Sequence, residues 1–189
     1  MAYNIKDVFF LGNTQEYTNG AWQSKDSVQP IDVSAYVDPI SKGRQRGQGL
    51  AVYRVSGCVS SGTTGTPVDA SESTEFTVGL SVKPFTTTGD ILSGAVSGTD
   101  LVPSSDLLIQ GMQFYGIAGV GSGGNPAGFH TFLEPTQEVP YVVVRDTIYQ
   151  IASMGSDIVA DLSVSYRMEC AMITLDTATL NQLLRTQTA

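Results

Sequence analysis

Several stretches of the sequence carry residue types with which proteins do chemistry. The run GVGSGG at 119–124 matches the G-x-G-x-x-G spacing of dinucleotide-binding turns, whose glycines let a helix N-terminus approach a pyrophosphate. Asn125, Pro126, Ala127 and Gly128 follow it, so no helix starts there and a surface loop is expected. His130 is the single histidine, and imidazole is the usual general base and a common metal ligand near neutral pH. No G-x-S-x-G elbow and no paired-histidine zinc spacing accompanies it, so it reads as a structural or exposed residue where Thr131, Phe132 and Leu133 form a strand entry after the glycine loop. Glu134 and Glu138 with Asp146 are a carboxylate set that a fold could assemble for glycoside hydrolysis. Sugar-cleaving sandwiches also need aromatic platforms, whereas the only tryptophan, Trp22, lies in a turn-like N-terminal stretch. Clustered acids of the calcium type and N-x-[ST] sequons are both absent. The expectation is therefore a chain that is not an enzyme, with no catalytic, cofactor-binding or metal site.

Charge narrows the partners. Ten Lys+Arg against eighteen Asp+Glu give a net charge of −8, which opposes attraction to phosphate backbones or anionic lipid, so direct nucleic-acid binding is not expected. After Lys83 the next basic residue is Arg145, with Asp90, Asp100, Asp106, Glu134 and Glu138 between them. The one basic cluster, Lys42, Arg44 and Arg46, is flanked by glycines and reads as a solvated loop. Only 15% of residues are charged, against about 25% in an average soluble domain, so much of the polar surface is uncharged hydroxyl and amide. Cys58 and Cys170 are too few for a disulfide framework or a cysteine zinc site. Both lie in strand-like segments; two buried free thiols are the simpler reading, and one disulfide joining them stays open.

The elements that would position these residues are strands. The clearest alternation runs through 161–175, where Leu162, Val164, Tyr166, Met168, Cys170 and Met172 share one face and Ser163, Ser165, Arg167, Glu169, Ala171 and Ile173 the other. Over 74–83, Phe76, Val78, Leu80 and Val82 share a face in the same way. In 50–59 the inward set reads as Ala51, Tyr53, Val55 and Val59, with Arg54 and Ser56 facing out, although Leu50 and Val52 blur the pattern. Weaker strand segments are 8–11, 28–36, 107–117, 141–144 and 147–152, for a total of about eight. Loops rich in Gly, Ser, Thr and Pro fill 60–67, 86–98 and 119–128, longer than a simple meander of hairpins needs. Asp176 or Thr177 is placed to cap a short C-terminal helix with Leu180, Leu183 and Leu184 on one side. Residues 1–7 are too polar for a signal peptide and no apolar run reaches the roughly 18 residues of a membrane span, so a soluble chain or part of a soluble assembly is expected. The fold class is all-β: one antiparallel β-sandwich over 1–189, a single jelly roll of about eight strands with a short C-terminal helix.

Low charge, long loops and no convincing cleft fit a subunit that tiles against others, since few charges must be desolvated when its sides are buried. On its length, its polar start at 2–7 (AYNIKD), and the segments IDVSAY (31–36), LAVYRV (50–55), LSVSYRM (162–168) and the 174–184 tail, the chain resembles the small single-jelly-roll major capsid proteins of tailless icosahedral viruses with an internal membrane, especially the haloarchaeal sphaerolipoviruses. The resemblance implies a structural capsid protein located in the virion. It implies that the chain is the smaller of two related capsid proteins, assembling with itself and with a larger paralogue into capsomers over a lipid vesicle that it can contact. The alternative is a binding module, lectin-like or a phage adhesin or decoration domain, with ligand held by the long loops.

Overall fold

The computed structural model describes residues 8–17, 27–38, 46–61, 75–83, 105–116, 127–154 and 162–188. Within them lie nine strands, β1 (Val8–Tyr17), β2 (Ser27–Asp32), β3 (Arg46–Ser61), β4 (Glu75–Ser81), β5 (Leu108–Gly116), β6 (Ala127–Leu133), β7 (Tyr141–Val143), β8 (Thr147–Met154) and β9 (Leu162–Asp176), followed by the helix α1 (Thr177–Thr188). The strands form two antiparallel sheets, ordered β1-β9-β3-β7 and β2-β8-β4-β5-β6. The glycine pattern at 119–124, Trp22, Lys42, Arg44 and the three long loops fall largely or wholly outside the described residues.

The period-2 pattern of β9 does what it predicts. Val164, Tyr166, Met168 and Cys170 are buried in a core shared with Val78, Leu80, Met112, Ile148 and Ala152 of the other sheet. Each fully buried aliphatic side chain of this kind contributes about 1.5–3 kcal/mol relative to exposure. The opposite face of β9 is divided. Ala171, Ile173 and Leu175 are buried against Leu180 of α1, with Leu183 and Leu184 packed beside them, while Arg167 on the same face is exposed. In β4, a central strand, Gly79 and Ser81 are buried as well as Val78 and Leu80, so both faces are covered where alternation implied one.

Three expectations need correction. The nine described strands agree with the expected number of about eight, and β6 contains the strand entry expected at Thr131, Phe132 and Leu133 but starts earlier, at Ala127. In β3, Ala51 packs in the helix-side cluster and Tyr53 lies against it, and neither joins the inter-sheet core. A bulge between Val52 and Arg54 is the cause: the extra residue shifts parity, so Leu50 and Val52 face inward before it and Val55 after it. The same shift puts Cys58 on the outer face, where it is exposed; Cys170 is buried on the inner face, and both are free thiols. Finally, the strand at 28–36 stops at Asp32, whose Oδ1 accepts the Ser34 N–H at 2.9 Å and turns the chain.

Helix α1 begins at the proposed cap. The Asp176 carboxylate accepts the Thr179 backbone N–H at 2.8 Å and the Thr179 hydroxyl at 3.2 Å, and these bonds hold its pKa below the ordinary value. Leu180 reaches the sheet because Gly47 of β3 leaves no side chain beneath it; a Cβ on Gly47 would lie 2.5 Å from Leu180 Cδ2. At the far end Gln187 is buried, and its amide accepts from Val144 N at 3.1 Å and donates to Val142 O at 2.6 Å. It thereby satisfies the open edge of β7, a position where an unpaired strand edge invites association. Gln187→Ala leaves those two backbone groups without their partner and is expected to lower stability by about 1–3 kcal/mol in urea titration.

In the second sheet a register shift between Gly111 and Met112 leaves Phe132 as the extra residue on β6, its ring directly over Gly111. A Cβ at Gly111 would collide with that ring, whereas one at the exposed Gly12 meets only Tyr166 O at 3.6 Å. Gly111→Ala is therefore expected to cost about 1–3 kcal/mol by denaturant unfolding, and Gly12→Ala to stay within about 0.5 kcal/mol.

Candidate functional site

The residues singled out for chemistry are distributed over separate elements. His130 is exposed on β6 opposite Gln113, Glu134 and Glu138 are exposed on the 134–140 connection, and Asp146 is exposed in the turn between β7 and β8. Arg46 is exposed at the start of β3, opposite Asp176. Among the described residues no group of three or more His, Cys, Asp and Glu side chains could hold a metal ion.

The surface that does gather side chains is the outer face of β1, β9 and β3. Antiparallel register sets Phe10 opposite Glu169 and Glu169 opposite Arg54; the next row sets Gly12 opposite Arg167 and Arg167 opposite Ser56. Arg167 and Phe10 are diagonal neighbours on this face, and the Arg167 guanidinium carbon lies 3.9 Å from the centre of the Phe10 ring. A cation held over an exposed aromatic ring contributes about 0.5–1 kcal/mol. One row further on, the Thr14 and Ser165 hydroxyls are hydrogen-bonded at 3.0 Å, and Cys58 is opposite Ser165.

Two shallow depressions meet at Glu169. One, of about 210 Å³, is lined by Phe10, Arg54, Ser56, Arg167 and Glu169; the other, of about 390 Å³, by Val8, Tyr53, Gln137 and Glu169. Val8 and Phe10 remain 59% and 55% exposed, which is unusual for large apolar side chains on a strand face and marks a patch suited to contact. Open concavities of mixed polarity suit a flat partner better than an enclosed small molecule. No family model, curated protein or solved structure matches the chain. No helix among the described residues is long and apolar enough to cross a membrane.

Sequence reasoning placed Ser163, Ser165, Arg167, Glu169, Arg54 and Ser56 on outward faces but did not join them into one surface. Register was the missing information. The available signal was the apolar run VFFL at 8–11, too long for a strand with one buried face.

The two thiols differ as sharply as their faces. Burial, and secondarily the Glu169 charge, push the Cys170 thiol up to about 12, whereas Cys58 is exposed. Burial and the Asp106 charge likewise raise the Tyr141 phenol, whose hydroxyl donates to Asp106 O at 2.6 Å. Groups whose pKa is raised on folding stabilise the fold below their unfolded pKa and lose that contribution as pH rises toward the folded value. Stability is therefore expected to fall between about pH 9, where an unfolded thiol ionises, and about pH 12, with Cys170→Ala flattening the decline in alkaline unfolding curves. Alkylation of the native protein at neutral pH is expected to modify Cys58 and spare Cys170 in peptide mass spectra.

Proposed function

We propose that this chain is a structural subunit of a virus shell, a small capsid protein of single-jelly-roll type that assembles with copies of itself and with a related larger capsid protein. The observation that carries the reading is the broad part of the β1-β9-β3 face that no helix or strand among the described residues covers, with exposed apolar side chains, charges of both signs and shallow concavities. Tiling subunits need such walls, and burying a face of low charge density incurs little desolvation.

Connectivity supports the jelly-roll part. With β6 set aside, the antiparallel pairs β1·β9, β2·β8, β3·β7 and β4·β5 are nested, as in one long hairpin. The pairs β3·β9 and β4·β8 then roll that hairpin into two sheets, which is the double Greek-key route found in capsid and lectin domains. On this reading β6 is a strand added at the β5 edge.

Lectin-like and adhesin modules share the fold, so a functional assay has to separate them. Sedimentation velocity and negative-stain electron microscopy of the purified protein, across wide ranges of concentration and salt, are expected to show discrete oligomers or ring-like particles. A protein that stays monomeric throughout, alone and with the larger capsid protein of its virus, while giving a specific hit on a glycan array, would overturn the shell reading in favour of the binding module.

A further inference from the structure

We propose that two copies of this chain meet through the outer face of the β1-β9-β3 sheet, related by a two-fold axis, with the acidic 134–140 turn of each seated on Arg54 and Arg167 of the other. The inference rests on the shell-subunit reading and names the surface and the chemistry of its first contact.

Three large hydrophobic side chains stand exposed among the described residues: Val8, Phe10 and Val139. Val8 and Phe10 are on the sheet face. Val139 is 73% exposed at one end of a turn closed by two hydrogen bonds, Thr136 N to Val139 O at 3.2 Å and Val139 N to Thr136 Oγ1 at 3.1 Å. The turn borders the face, because Gln137 lines the same depression as Val8, Tyr53 and Glu169. An apolar side chain held in a fixed turn loses little conformational entropy on docking.

Charge selects the occupant. The turn carries exposed Glu134 and Glu138, and the face carries exposed Arg54 and Arg167, two of only ten basic residues in the chain. No Lys or Arg lies between Lys83 and Arg145, so the turn belongs to the most acidic part of the protein. A second copy therefore brings its own complement to the arginines. Because the two arginines and the acidic turn lie side by side, a two-fold operation places each opposite the other twice, the reciprocal pattern that an isologous interface requires. The uncharged hydroxyl side chains around them, including Ser56, Ser165 and Thr14, can be covered at little desolvation cost.

Cys58 reports on the face without engineering, since it is exposed in the row beyond Arg167 while Cys170 is buried. The test compares the full chain with two charge-reversed forms, Arg54→Glu with Arg167→Glu, and Glu134→Arg with Glu138→Arg, by sedimentation velocity and by the Cys58 alkylation rate. Circular dichroism melting confirms that both forms are folded. Each form alone is expected to self-associate at least about tenfold more weakly than the unaltered chain. Mixing the two is expected to restore a two-chain complex, with Cys58 alkylation slowed as in the unaltered protein. If the unaltered chain and both forms associate equally and Cys58 is alkylated at the monomer rate throughout, this surface is wrong and the shell reading stands. If each form loses association but mixing restores nothing, the reciprocal two-fold contact is wrong. If the unaltered chain never associates, with itself or with a larger capsid protein, both proposals fall.

Discussion

The structure depends on β9 being hydrogen-bonded along both of its edges. β3 flanks it over its whole length and β1 over 162–171, so along that stretch the strand cannot twist away or slip without breaking two ladders at once. Side-chain direction alternates with a period of two, and a slip of one residue would carry Val164, Tyr166, Met168 and Cys170 out of the core and bring Arg167 and Glu169 into it. Register here is fixed by the cost of that exchange. Once it is fixed, the outer row follows: Ala171, Ile173 and Leu175 lie where α1 can cover them, Glu169 is half-buried, and Arg167 is exposed beyond the reach of α1.

Two irregularities adapt the sheets to this frame. The bulge at Tyr53 lets β3 give Ala51 to the helix side and Val55 to the core within one strand, and the extra residue on β6 brings Phe132 over Gly111. Glycine is required at Gly47 and Gly111 for a specific reason: another side chain occupies the volume that a Cβ would take. At the exposed edge of β7 the solution is polar. Gln187 behaves as a short piece of an additional strand, offering an acceptor and a donor to Val144 and Val142. Polar groups also enter the core itself, where Gln150 accepts from Asn13 at 2.6 Å and donates to Val164 O at 3.4 Å, tying the two sheets together through an amide.

Burial and function divide along the same line. Inside, the Cys170 thiol and the Tyr141 phenol are kept protonated by the removal of water. Outside, two arginines, a glutamate and a phenylalanine share a shallow surface with serine and threonine hydroxyls. A protein with few charges and an open, mixed face is suited to repeated contact with another surface, and this physical match, more than any single residue, underlies the shell-subunit reading.

Much of the fold was legible in the residues themselves. The alternation of 161–175 and 74–83, the Asp176 cap and the leucines of α1 are local patterns, and local patterns survive because propensity and one-sided burial act on neighbours in the chain. Ala51 and Tyr53 of β3, the exposure of Cys58 and the start of β6 at Ala127 ran against the local pattern, since a bulge changes parity without leaving a residue signature and β6 gains its order from β5. The outer face was legible only in fragments: Phe10, Arg54 and Arg167 are separated by 44 and 113 positions in sequence. The sequence by itself determined which residues must be hidden from water, because that preference is a property of each side chain. Which exposed residues would stand together was decided only by the tertiary structure, because cross-strand register is set by the whole core and joins positions that no local interaction connects.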